Sequence, residues 1–178
     1  MSVYTKEDYH SGDGMLTTIW GPGLWHYLHT MSFNYPVHPT EDEKLHYKEF
    51  ILLLEHVLPC KHCRTNLVKN FKEVPLLDRH MESRDTYSKY VYDLHEHINT
   101  MLGKTSNLSY EDVRERYEHF RARCSRVKTK KEKGCTESLY GEKSKCIIKI
   151  VPNTFKCKTF QMNKSCKKRR LSKTAKVV

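Results

Sequence analysis

No apolar run in this chain reaches the roughly 18–20 residues that a helix needs to cross a bilayer. The first 14 residues are polar and lack the apolar core of a secretory leader, so the protein is expected to be soluble and unexported. Acidic residues almost vanish toward the C-terminus. Residues 124–178 hold 3 Asp+Glu against 17 Lys+Arg, a net charge of +14, whereas residues 1–123 hold 18 against 15, a net of −3. The basic tail also has few large apolar residues beyond Ile147, Ile148, Ile150 and Val151, and it contains Lys167-Lys168-Arg169-Arg170. Such a segment buries too little surface to offset its ordering entropy and is expected to be flexible. Neither a C-x-x-C nor a C-x-C pair occurs in it, and nothing resembles a DNA-reading helix or finger. Any nucleic acid or anionic membrane drawn to the tail would be bound nonspecifically and salt-sensitively. The chain thus divides into a polar N-terminal segment (1–18), a domain rich in Leu, Tyr, Phe and Trp (19–123), and the tail (124–178).

What is present in quantity is cysteine, seven in all. Without an export signal these are expected as reduced thiols, metal ligands or redox catalysts rather than structural bridges. Pro59-Cys60-Lys61-His62-Cys63 is the most informative stretch, because it sets two thiols three positions apart where a helical pattern begins. A helix N-terminus stabilises a thiolate through its dipole and free N–H groups, and two sulfurs at this spacing can close and reopen a disulfide. The same spacing also fits half of a zinc site, which would recruit His95 and His97 as further ligands of an interaction module.

The apolar spacing predicts five helices. Leu24, Trp25, Leu28, Met31 and Ser32 share a face between Trp20 and Tyr35, and Pro36 and Pro39 end that helix. Thr40-Glu41-Asp42-Glu43 reads as a capping box, followed by Phe50, Leu53, Leu54 and Val57 at helical spacing up to Pro59. A short helix from about Cys60 to Phe71 carries the thiols in its first turn, with Leu67 and Phe71 inward and Pro75 closing it. Tyr87, Tyr90, Val91, Leu94, Ile98 and Met101 form a long stripe that stops at Gly103. Ser109 and Asp112 cap a last helix with Val113, Tyr117, Phe120 and Cys124 on one face. No convincing period-2 strand precedes residue 124, which argues against a thioredoxin-type sheet scaffold. Trp25 and His29 lie one turn apart, as do His95 and Asn99, so a planar ligand is expected between the two pairs.

Taken together, several motifs resemble those of the Erv/ALR family of FAD-linked sulfhydryl oxidases, in the forms found in large cytoplasmic DNA viruses. They are Trp20-Gly21-Pro22-Gly23-Leu24-Trp25-His26-Tyr27-Leu28-His29-Thr30, Tyr35-Pro36, Pro59-Cys60-x-x-Cys63-Arg64, and Leu94-His95-Glu96-His97-Ile98-Asn99 with Leu102-Gly103-Lys104. The resemblance covers roughly residues 19–123 and implies an all-α fold, a four-helix bundle plus a short fifth helix with FAD at one end. Family members are commonly homodimers. By motif position, the resemblance implies that Gly21, Trp25, His29 and Tyr35 line the flavin. His95, Asn99 and Lys104 would hold the adenosine and phosphate portion, and Arg116-Tyr117 matches the family's Arg-Trp. Glu96 stands where the family has an amide, and a carboxylate there is expected to weaken phosphate binding.

The implied activity is oxidation of protein dithiols, with electrons passing through Cys60 and Cys63 to the flavin and then to O2, giving hydrogen peroxide. Cys60 is the sulfur expected to meet the substrate thiol, or the thiol of a thioredoxin-like redox partner, and Cys63 the one expected to face the flavin. Arg64 would add positive field. Host cytoplasm or virion is the expected location. Tail cysteines 124, 135, 146, 157 and 166 are spaced by 11, 11, 11 and 9 residues, which suggests that one or two shuttle electrons to Cys60. By the family scheme Cys124 has no disulfide partner.

Overall fold

The computed structural model describes residues 3–123, 134–156 and 161–166. The chain forms two compact units, Met1–Tyr110 and Glu111–Val178. In the first unit a one-turn helix α1 (Lys6–Tyr9) is fixed by a Thr5–Asp8 capping box. The helices α2 (Thr17–Phe33), α3 (Glu41–Val57), α4 (Lys61–Glu73) and α5 (Arg84–Met101) follow. A 3-10 turn, Asp78–Met81, precedes α5. Helix α2 begins three residues before Trp20 and accommodates Pro22 within it. The Thr40–Glu43 capping box opens α3 as the sequence predicts, with the Glu43 N–H donating to Thr40 Oγ1 at 3.2 Å. Gly103, at φ +65°, takes the left-handed conformation that stops α5, where a side chain would be strained.

Helix α2 packs on α5, α3 on α4, and α4 on α5. Their shared core contains Leu28, Ile51, Leu54, Leu58, Leu67, Val91 and Leu94, around an aromatic centre of Tyr35, Tyr87 and Tyr90. Tyr35 is wholly buried and donates its hydroxyl proton to the Met81 carbonyl at 2.8 Å, while Arg84 Nε donates to the Tyr35 carbonyl at 2.6 Å.

Two predicted stripes need correction. On α3 the buried residues are Ile51 and Leu54, with Leu58 just beyond, whereas Phe50, Leu53 and Val57 are exposed. The helix is apolar on two faces, and the inward one is set by α4 and the aromatic centre. Met101 at the end of α5 is likewise exposed.

The second unit contains the rest of α6 (Tyr110–Glu118), on which Val113 is buried. An antiparallel pair of two-residue strands, β1 (Ala122–Arg123) and β2 (Glu137–Ser138), follows, so a strand does precede residue 124. Pairing across a long connection leaves no local period-2 signal to read. Ile147, Ile148 and Ile150 are exposed, at 76%, 82% and 68%. Cys146 and Cys166 are free thiols, but Cys135 is disulfide-bonded, contrary to the expectation of reduced cysteines. A unit with so little core gains from a covalent staple. Cys124 and Cys157 lie outside the described residues, and the expectations about them with them. Among the described residues no helix is long and apolar enough to cross a membrane.

Candidate active site

The turn Leu58–Cys60 leaves α3 and enters α4. Cys60 is the N-cap of α4, in extended conformation, and its Sγ accepts the Cys63 N–H at 3.2 Å. A sulfur in this position receives both a backbone donor and the positive end of the helix dipole. Hydrogen bonding with Cys63 holds the Cys60 thiol below its ordinary range, while burial, followed by the hydrogen bond with Cys60, pushes the Cys63 thiol up. The two sulfurs are therefore unequal: Cys60 is the more readily ionised, and Cys63 is partly buried against the hydrophobic core. Thr17, in the first turn of α2, places its Oγ1 3.7 Å from Cys63 Sγ. The Arg64 guanidinium donates to the Leu58 carbonyl. Arg64 thus staples the turn that carries the cysteines, a role that the expectation of added positive field did not include.

On the facing elements, Trp25 and His95 stack at a ring separation of 3.8 Å and an interplanar angle of 6°. His29 Nε2 and His95 Nδ1 share a hydrogen bond of 2.9 Å, so one ring must donate and the other accept. Burial, together with the neighbouring imidazoles, pushes His29 down to about 3, and burial pushes His95 down to about 4. Both imidazoles are accordingly neutral at pH 7. Trp25 and His95, each from one of the two pairs read from the spacing, are in direct contact. They form one continuous wall.

Asn99 Nδ2 donates to Glu96 Oε1 at 2.9 Å and Ser106 Oγ donates to Glu96 Oε2 at 2.8 Å. Both oxygens of the unexpected carboxylate are thereby engaged by its own neighbours. Lys104 follows Gly103 in the exposed turn after α5, where its charge reaches His95. Gly21 is buried on α2. Tyr35 stands apart in the aromatic centre with its hydroxyl committed to Met81. Arg116 and Tyr117 belong to the second unit. The zinc alternative lacks its ligand set: among the described residues no three His, Cys, Asp or Glu side chains gather to hold a metal ion, and His97 pairs with Glu73 at 3.2 Å. Sequence reasoning missed Thr17, which lay in the segment read as polar and N-terminal to the domain, with no local signal of its target.

A helical bundle that mounts an asymmetric dithiol on a helix start, and carries a wall of neutral rings on α2 and α5, defines a thiol–disulfide redox centre of the helical type. The chain belongs to the Erv1/Alr family, whose model matches residues 22–118. It is 35% identical over 99 residues to a probable FAD-linked sulfhydryl oxidase of Acanthamoeba polyphaga mimivirus, an alignment covering 56% of this chain and 68% of that protein. Identity to the mitochondrial FAD-linked sulfhydryl oxidase ERV1 of Saccharomyces cerevisiae is 29% over 85 residues, 47% of this chain and 43% of that one. Its fold is similar to the crystal structure of the FAD binding domain of Erv1 from that yeast. There the TM-score is 0.52 at 25% identity, covering 58% of this chain and 94% of the other.

Proposed function

We infer that this protein is an FAD-dependent sulfhydryl oxidase that forms disulfides in protein thiols. The observation that carries the reading is the inequality of Cys60 and Cys63 at the start of α4. In the oxidised centre a substrate thiolate attacks Cys60 Sγ, the Cys60–Cys63 bond breaks, and Cys63 leaves as thiolate. The mixed disulfide between substrate and Cys60 is then resolved by a second substrate thiolate. That step releases the substrate disulfide and leaves Cys60 and Cys63 reduced by two electrons. FAD, when bound, supplies the two-electron acceptor that allows the pair to close again, and passes the electrons to O2 as hydrogen peroxide.

The residues present suit that cofactor. Trp25, His29 and His95 offer a wall of uncharged rings, Gly21 leaves space on the same helix, and Asn99 and Lys104 bring an amide and a cation for the adenosine and phosphate portion. Glu96 stays a carboxylate, with both oxygens occupied by hydrogen bonds from Asn99 and Ser106. Arg116 and Tyr117 are assigned to the nucleotide, and Tyr35 to the flavin, on motif position alone. The substrate is a protein dithiol or a thioredoxin-like redox partner. A homodimer is supported by the apolar face that α2 and α3 leave exposed, the tail's charge suits a nonspecific anionic partner, and host cytoplasm or virion is the location that viral relatives suggest.

The test is the absorption spectrum of the purified protein together with oxygen uptake on dithiothreitol. Bound flavin and peroxide production that disappears in Cys63→Ser are expected. A colourless protein carrying stoichiometric zinc would overturn the reading.

A further inference from the structure

The segment that precedes α2 is built onto the dithiol turn. The Met15 N–H donates to the Pro59 carbonyl at 2.7 Å, and the Trp20 indole Nε1–H donates to the Met15 carbonyl at 3.0 Å. At Gly14 the approach is closer than a side chain permits. A Cβ there would stand 2.7 Å from the Pro59 oxygen and 2.9 Å from Cys60 Cα, both backbone atoms that cannot move aside without shifting the turn. Gly14 and Met15 therefore fix the start of α2 against the residues that carry the cysteines. The first helical residue, Thr17, is delivered with its hydroxyl at 3.7 Å from Cys63 Sγ, within hydrogen-bonding reach for sulfur.

We propose that Thr17 is a catalytic residue of the dithiol centre, its hydroxyl donating a hydrogen bond to the Cys63 thiolate each time the disulfide opens. The need for such a donor follows from the geometry. Cys60 takes the Cys63 N–H as well as the N-cap position, and the Thr17 hydroxyl, which reaches both sulfurs, is the side-chain donor that offsets the burial of Cys63. Cys63 is the sulfur that burial disfavours as an anion, and among the described residues Thr17 is the side chain that offers it a hydroxyl. A hydroxyl can turn to accept from the thiol or donate to the thiolate, and the second arrangement is the stronger because the acceptor is charged. Thr17 thus favours the charge that develops on Cys63 as Cys60 is attacked, and it does so from a strap that the close packing at Gly14 holds in place.

The direction in which Cys63 works rests on the oxidase reading; the hydrogen bond does not. The test is the pH dependence of Cys63 alkylation by iodoacetamide in the reduced full-length protein, resolved by site with mass spectrometry. Wild type, Thr17→Val and Thr17→Ser are compared. Valine keeps the shape and removes the hydroxyl, so the Cys63 profile should move to higher pH, with alkylation at pH 7 slower by about tenfold or more, the loss of one hydrogen bond to a charged sulfur. Serine should restore the wild-type profile, which a merely structural role for the side chain would not. Turnover with dithiothreitol should show the same upward displacement of its pH profile in Thr17→Val. Identical Cys63 profiles in wild type and Thr17→Val would overturn the proposal, whatever the enzyme does. A wild type without flavin or oxygen uptake, in which Thr17→Val still shifts Cys63, would instead overturn the oxidase reading and leave the proposal standing. Should valine unfold the protein by circular dichroism, Thr17→Ala with the serine rescue decides by the same profiles.

Discussion

His29 and His95 show how much a single buried contact fixes. Two imidazoles joined nitrogen to nitrogen at 2.9 Å cannot both be protonated without setting N–H against N–H, and burial already disfavours either charge. Their folded-state values, about 3 and about 4, lie below the 6.5 of an unperturbed imidazole. The unfolded chain therefore binds protons, as pH falls through that window, that the folded chain refuses. Stability is full above about pH 6.5 and is lost as the pH drops toward about 4. The urea midpoint is expected to fall between about pH 7 and about pH 4.5, and the fall should be shallower in His95→Asn, which has no proton to gain. Equal slopes in the two proteins would show that the imidazoles titrate as freely in the fold as out of it. Neutrality also keeps the imidazoles from repelling Lys104, whose charge reaches His95.

Among the elements, α3 is the helix whose ends depend most on identifiable residues. Thr40 and Glu43 satisfy each other's backbone N–H groups, and the Thr40 side chain alone is worth about 1 kcal/mol by the general behaviour of N-caps. Thr40→Ala should lower stability by about that amount in urea unfolding while leaving Cys63 alkylation unchanged, because the cap lies at the far end of α3 from Cys60. This cap was legible in the sequence, as were Gly103 as the stop of α5 and Cys60 at the start of α4, for each is a local signal read within four residues. The inward face of α3 was not. Phe50, Leu53 and Val57 and the row Ile51, Leu54 and Leu58 both repeat at helical spacing, so periodicity alone cannot say which row meets α4. Nor was the strap before α2 legible. Its partners, Pro59, Cys60 and Cys63, lie more than forty residues away, and Gly14 gains its meaning from a backbone approach that no local pattern records. The wall was half visible: the spacing put Trp25 with His29 and His95 with Asn99, yet only the packing of α2 on α5 closes the rings into contact.

At the scale of the whole molecule, that misread row on α3 points outward for a reason. Leu53 is 54% and Val57 66% exposed, and Phe50 meets the exposed Tyr27 of α2 edge to face at 6.1 Å, so the two helices share one continuous apolar surface. Ile19, two turns before Tyr27 on α2, extends it. Contiguous apolar surface of this kind is unusual on a monomer and is suited to an isologous contact, in which a second copy covers the same residues about a twofold axis. Residues 1–123, which contain this face, carry a net charge of only −3, so repulsion between two copies is slight there. The wild-type chain is expected to sediment as a dimer at micromolar concentration, and Leu53→Asp with Val57→Asp is expected to sediment as a monomer with unchanged helical circular dichroism. A wild type that sediments as a monomer, or a doubly substituted protein that remains dimeric, would remove this face from the assembly. Because α3 leads directly into the turn that carries Cys60, covering its outer face would also steady the dithiol from behind. The monomeric variant should then retain its thiols but show a lower midpoint in urea than the dimer, the difference growing with protein concentration as mass action requires.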